Sequence, residues 1–160
     1  MESELSRLQE RLQYSFSNGA LLQRAVTHRS FSAEHNERLE FLGDSVLGLA
    51  VSTMLFQKLK TTPEGDLSRI RANLVKQDTL HQIALRLELA KVLRLGEGEA
   101  KSGGRERPSI LADAVEAIIG AAYLDSGYTV AEGIVHHLYE RVEISQHMPA
   151  ASKDAKTALQ

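Results

Sequence analysis

The segment NERLEFLGDSVLGLAV, residues 36–51, constrains this chain more than any other, because it patterns as an apolar helix that nevertheless carries three acids. Asn36 is a favourable N-cap, and Glu37 suits the positive end of a helix dipole. At about 100° per residue, the i, i+3, i+7 spacing puts Glu37, Glu40 and Asp44 within an arc of roughly 60°. Leu39, Leu42, Val46, Leu49 and Ala50 cover the opposite side, while Leu47 and Val51 border the acidic stripe. The helix is therefore expected to be central and apolar nearly all round. Like charges on one stripe repel, and buried carboxylates are costly without a positive partner. A divalent cation would supply one; a solvated acidic edge on the first turns is the ordinary alternative.

A second segment, ILADAVEAIIGAAYLD at residues 110–125, is another apolar helix, interrupted before its last turn only by Asp113 and Glu116 at i, i+3. No Lys or Arg lies within residues 111–125 to pair with them, so these acids also need a partner from elsewhere. If the two helices met, four or more carboxylates would share one site. An all-oxygen set of that kind suits Mg or Mn rather than zinc, and the absence of Cys agrees. His35, His136 and His137 lack a ligand-like grouping with these acids and read as surface or core residues.

NERLEFLGDS together with ILADAVEAIIGAAYLDSGY resembles the paired signature of the ribonuclease III family, in its bacterial form with a single nuclease domain. THRS at residues 27–30 and PEGDLSRIRANLV at 63–75 match further blocks in the same order, so the resemblance covers nearly the whole chain. It implies an all-α, multi-helix, homodimeric endonuclease domain. It also implies a metal-dependent endoribonuclease cleaving double-stranded RNA to 5'-phosphate and 3'-hydroxyl ends, in rRNA and mRNA processing. By the same resemblance Glu40, Asp113 and Glu116 hold Mg2+, with Mn2+ able to substitute, Asp44 and Glu116 are catalytic, and Asp44 orients the attacking water. Glu37 and Glu64 would be supporting acids, although Glu64 also sits where a structural capping-box residue would. Phe41 projects only about 40° from Glu37, on the acidic flank. Packing against the N-terminal segment would explain it; the resemblance implies insertion into a partner subunit.

Composition narrows the setting. With 42% hydrophobic and 25% charged residues the chain is an ordinary globular domain, and zero Cys excludes a disulfide scaffold and agrees with a cytoplasmic location. MESELSRLQERL at the N-terminus is amphipathic, not a signal peptide, and no apolar run is expected to span a membrane. A formal net charge of −2 is awkward for a protein that must meet phosphates. The acids of a metal site depress that sum, and the family's separate double-stranded RNA-binding domain supplies much of the affinity. SKDAKTALQ, residues 152–160, looks like the opening of such a domain. The expected division is an endonuclease domain at 1–145 followed by a linker and truncated RNA-binding start at 146–160. Candidate RNA contacts are Arg69, Arg71, Lys101, Arg105, Arg107, Thr157 and Gln160; a solvated basic edge explains Arg69 and Arg71 equally well, and plain solvation is the commoner explanation of Lys101, Arg105 and Arg107.

Along the rest of the chain, Ser3 caps a helix with Leu5, Leu8 and Leu12 on one stripe, and a second helix is expected over about residues 20–28. His28 and Arg29, at its end, could touch RNA or simply favour a helix C-terminus. The central helix runs to Lys58; Thr61 or Thr62 then caps a helix with Pro63 in its first turn, and Asp78 or Thr79 starts the next. GEGEAKSGGRERPS, residues 96–109, reads as a mobile surface connection. Ser109 is expected to cap the second acidic helix, and Thr129 with Glu132 to form a capping box for a last helix reaching about Val142. Two other classes compete with a nuclease. A non-catalytic RNA-binding or ribosome-associated module would be expected to lack some of the acids. A helical phosphohydrolase acting on nucleotides commonly uses an HD pair, which this chain does not have.

Overall fold

The computed structural model describes residues 3–144, so the expectations for 145–160, Thr157 and Gln160 included, lie outside the described residues. Eight α-helices follow in order: α1 (Glu4–Leu12), α2 (Gly19–Ala25), α3 (Glu37–Lys58), α4 (Glu64–Val75), α5 (Gln77–Arg86), α6 (Glu97–Lys101), α7 (Pro108–Ser126) and α8 (Tyr128–Tyr139). Single 3-10 turns at Leu89–Lys91 and Gly104–Glu106 flank α6. Among the described residues there is no strand. One isolated bridge pairs Thr27 with Arg94, so the all-α expectation holds.

α7 is the most enclosed element, packing against α3, α5, α8 and α2. Nearly every residue from Ile110 to Ala122 is buried, which is why its sequence shows so little amphipathic alternation. α3 is the second axis of the core but is not apolar all round in the packed sense. Leu39, Val46, Leu47, Ala50, Val51, Met54 and Leu55 are buried. Phe41, Leu49 and Phe56 are 79%, 55% and 75% exposed, so Leu49 departs from the expected core stripe. By length and composition alone α3 matches a membrane span, a test that the core helix of a globular domain also meets. Its packing on α7, α4 and α8, and the acids along it, make it a core helix of the bundle.

Several helix ends use devices other than those expected. Ser3 does cap α1, its Oγ accepting from Ser6 N at 3.1 Å. Asn36 precedes α3 but does not cap it through its side chain. It is buried, and its Nδ2 donates to Ala25 O at 3.0 Å, tying α3 to α2, while His35 Nδ1 accepts from Glu37 N at 3.3 Å. Pro63, not a threonine, stands before α4, and Lys76 alone joins α4 to α5. Thr79 lies inside α5, donating to Asn73 O at 2.7 Å. Arg107 precedes α7 with Pro108 at its first position, so Ser109 is not the cap. α8 follows α7 after Gly127 alone, whose φ of 88° favours glycine. The expected Thr129–Glu132 box gives way to this joint, and the helix ends at Tyr139. Asp125, at the end of α7, anchors the N-terminal segment by accepting from Ser17 N (2.8 Å), Asn18 N (2.9 Å) and the Tyr14 hydroxyl.

Residues 96–109 are ordered by their own charges rather than forming a bare connection. Arg107 pairs with Glu99, and Arg105 donates to Ala90 O at 3.0 Å and Leu93 O at 2.7 Å. Charge-assisted bonds of this kind hold a loop that Gly content alone would leave free.

Candidate metal centre

The acids meet because α3 and α7 cross at backbone contact distance. A Cβ on Gly43 would lie 1.7 Å from Glu116 O, and one on Gly120 would lie 2.3 Å from Leu39 O. Only glycine permits that approach at these two positions. Gly43 sits between Glu40 and Asp44, and Gly120 lies one turn after Glu116, so the crossing draws the two acidic stripes together. Carboxylate oxygens of Glu40, Asp113 and Glu116 all lie within 4.8 Å of one another. Glu116 is buried, Glu40 and Asp113 are half-buried, and Asp44 is exposed.

The electrostatics follow from that proximity. Burial first, then a hydrogen bond with Asp44 and the charges of Asp44, Glu40 and Asp113, pushes Glu116 up to about 9. Glu40 is raised to about 7, again chiefly by burial and then by Asp113, Glu37 and Asp44. Asp113 is also raised by burial, opposed by its bond with Glu40 and by the nearby His28. Without a cation the cluster holds protons that isolated carboxyls would release at neutral pH. The donor set is all oxygen and compact, and its charge is unbalanced within the chain. It therefore fits a divalent cation.

A cavity of about 500 Å³ opens beside the cluster, lined among others by His28, Arg29, Glu37, Glu40, Arg107 and Asp113. Glu37 is at its rim, exposed, with Arg29 4.0 Å away, and it adds to the charge felt by Glu40 and Asp113. Glu64 is not brought to the cluster within one chain. It lines a separate hollow with Ser52, Leu55, Phe56, Leu67 and Arg71. Of Arg69, Arg71, Lys101, Arg105 and Arg107, Arg107 is the one that lines the cavity, beside Arg29 and His28. Arg69 pairs with Asp66 at 2.6 Å, Arg71 donates to Ser52 Oγ at 2.9 Å, and Lys101 pairs with Glu97 at 2.9 Å. Arg105 Nη1 donates to two backbone carbonyls, which ties this side chain to the loop and away from the cavity. The role of Gly43 and Gly120 escaped the sequence reading; their adjacency to the acids, in LGDS and EAIIG, was the available signal. α2 ends at Ala25, so the helix-terminal explanation of His28 has no helix end to act on.

An all-helical domain that closes a carboxylate cluster with a divalent-cation donor set defines a metal-dependent hydrolytic class, and the comparisons specify it. The Ribonuclease-III-like family profile matches residues 18–142. The chain is 72% identical over 156 residues to ribonuclease 3 of Delftia acidovorans, covering 98% of this chain and 69% of that protein. It is 67% identical over 160 residues to ribonuclease 3 of Variovorax paradoxus, covering 100% and 70%. The nuclease domain of Campylobacter jejuni ribonuclease III superposes with a TM-score of 0.84 at 45% identity, covering 86% of this chain and 96% of that one. That structure is described as flexible in a region involved in dimer formation. The chain belongs to the ribonuclease III family, and it is an endoribonuclease acting on double-stranded RNA.

Proposed function

We propose that the chain hydrolyses phosphodiesters of duplex RNA with Mg2+, or Mn2+ in its place, held by Glu40, Asp113 and Glu116. The observation that carries this reading is the convergence of those three carboxylates to within 4.8 Å on buried helices. Bound there, the cation would supply Lewis-acid polarisation of the phosphodiester and a more acidic water. Asp44, hydrogen-bonded to Glu116 and exposed at the mouth of the cluster, is placed to orient the water and accept its proton. Glu116 contributes both to cation binding and to this catalytic pair. Glu37 supports the cluster through its charge. The products are 5'-phosphate and 3'-hydroxyl ends. The setting is cytoplasmic processing of rRNA and mRNA, consistent with a chain that has no Cys. Presence of all four acids disfavours a non-catalytic module.

The open side of α3 supports a homodimer. Phe41, Leu49 and Phe56 form an exposed apolar stripe, and the hollow containing Glu64 adjoins Phe56. Exposed aromatics of this size call for a partner. A two-fold pairing through this stripe would give two clusters facing one duplex, and Glu64's supporting role would then belong to the dimer. On this reading residues 1–145 would be the nuclease unit, and 146–160 a linker and the start of an RNA-binding domain. The test is an end-labelled RNA duplex incubated with Mg2+, Mn2+ or EDTA. Internal cleavage in both metals and none in EDTA is expected; cleavage in EDTA would overturn the assignment.

A further inference from the structure

His28 lines the cavity beside Glu40 and Asp113, and the THRS turn holds its imidazole by one nitrogen. The backbone N–H of Ser30 donates to His28 Nδ1 at 3.1 Å, so that nitrogen must be an acceptor. Ser30 Oγ lies 2.8 Å from the same nitrogen and itself accepts from Gly96 N at 2.8 Å, which leaves the hydroxyl proton to point at Nδ1 as well. Two donors on Nδ1 place the imidazole's own proton on Nε2. The arrangement is held from outside by the 94–96 segment. His28 N donates to Arg94 O at 3.0 Å, and a Cβ on Gly96 would lie 2.2 Å from Ser30 O, so the segment can press this closely only as glycine. Arg94 stacks over Phe31 at 4.4 Å and donates to Thr27 Oγ1 at 3.3 Å, bracing the turn on its far side.

The Nε2–H has no protein acceptor among the described residues. With one ring nitrogen held by the turn, the other is left as a donor of fixed direction on a side chain that lines the cavity beside the acidic cluster. We propose that His28 is a substrate-contacting residue whose Nε2–H binds a non-bridging oxygen of the phosphodiester presented to the Glu40–Asp113–Glu116 cluster. This rests on the nuclease reading given above and adds a fixed donor to it. The role suits a ring fixed at Nδ1: it gives one directed hydrogen bond to an oxygen gaining charge.

The experiment compares His28→Gln, His28→Asn and His28→Ala on one RNA duplex with Mg2+, and repeats each with a phosphorothioate diastereomer pair at the scissile position. Gln carries its amide nitrogen near the place of Nε2, and Asn carries its own near Nδ1. Expected are losses in kcat of about 10²-fold for His28→Asn and His28→Ala, as for other single donors to a developing oxyanion, and within about tenfold of wild type for His28→Gln. The penalty for sulfur in one diastereomer should shrink in His28→Ala and His28→Asn and persist in His28→Gln. Melting curves identify any variant that loses the turn; should His28→Ala unfold, the Gln-against-Asn difference decides. Equal rates for Gln and Asn with unchanged sulfur penalties would overturn the proposal. If wild type fails to cleave the duplex with Mg2+ at all, the nuclease reading fails instead, and the two failures are thus distinct.

Discussion

The two sides of α3 are equally apolar in sequence and meet opposite fates. On one side Gly43 is pressed against the backbone of Glu116, with no room for a methyl group. On the other, Gly48 faces open space between exposed Phe41, Leu49 and Phe56. Hydropathy does not distinguish these sides; the closeness of approach does. Where the backbone of α7 comes within a Cβ's reach, side chains one turn away are carried into a shared cluster. Where nothing approaches, the same kind of residue is left as surface.

The sharpest way to break this contrast is to put the same methyl on each side. Gly43→Ala should force α3 and α7 apart and scatter the acids, abolishing cleavage and lowering the melting temperature by several degrees or more, since overpacking here meets backbone rather than a flexible side chain. Gly48→Ala should be tolerated by the monomer and should stabilise it by about 0.5–1 kcal/mol through helix propensity. Activity assays with circular dichroism melts on both variants check this. A Gly43→Ala protein with near-normal cleavage would mean the close crossing does not position the acids.

The next effect in size concerns charge on the buried side. Glu116→Gln should lower kcat by about 100-fold or more, a larger loss than outer-shell changes usually give, with the fold retained. It also tests the linkage. Glu116 and Glu40 are raised to about 9 and about 7, so the folded metal-free state binds more protons than the unfolded chain above about pH 4.5. Stability in EDTA is then fully present below that pH and falls as pH rises through about 7 and about 9. Millimolar Mg2+ should restore the melting temperature more at pH 8 than at pH 5, and Glu116→Gln should flatten the metal-free decline. A melting temperature in EDTA that rises from pH 5 to pH 8 would contradict the burial of these acids.

Much of this was legible in the sequence. Acids at i, i+3 on helices too apolar to solvate them pointed to a shared site, and helical spacing gave the positions of α1, α3, α5 and α7. The failures were of two physical kinds. Local signals were outbid by tertiary ones. Asn36 has the right chemistry for a cap, but burial gave its amide to Ala25 O, and Gly127 replaced the capping box at Thr129 and Glu132. Composition also misjudged order in residues 96–109, because the carbonyls that hold Arg105 belong to residues 90 and 93, a relation no local window reveals. Leu49 failed differently. Periodicity says which residues share a face, whereas only the packing says whether that face is covered.

On the open side of α3, Phe41→Ala should weaken self-association by on the order of 2 kcal/mol or more, the scale of an interface hot spot, which is about 30-fold in the dissociation constant. Because Phe41 is already exposed in the single chain, the monomer's melting temperature should hardly move. Light scattering across a dilution series separates the two readouts. If association is unchanged while the monomer is destabilised, the aromatic is serving its own chain, and the open side is not an interface.

The smallest expected effect lies on the loop that flanks the cavity, where Lys101 and Arg105 separate two uses of a surface cation. Lys101 is held only by an exposed pair with Glu97, both side chains more than 70% exposed, and such pairs are worth little and release easily. It is therefore free to meet a phosphate. Arg105 is committed to the carbonyls of Ala90 and Leu93. Lys101→Ala should leave the melting temperature alone and weaken duplex binding a few-fold. The slope of log affinity against log salt should become shallower by about 1 if one phosphate contact is lost. Arg105→Ala should do the reverse, loosening the 96–107 segment and lowering the melting temperature with the salt slope unchanged. Binding is read by salt titration in the Glu116→Gln background, where the duplex is not consumed. Should both variants alter the slope equally, the carbonyl contacts of Arg105 do not withhold it from RNA, and charge alone governs how this loop meets its substrate.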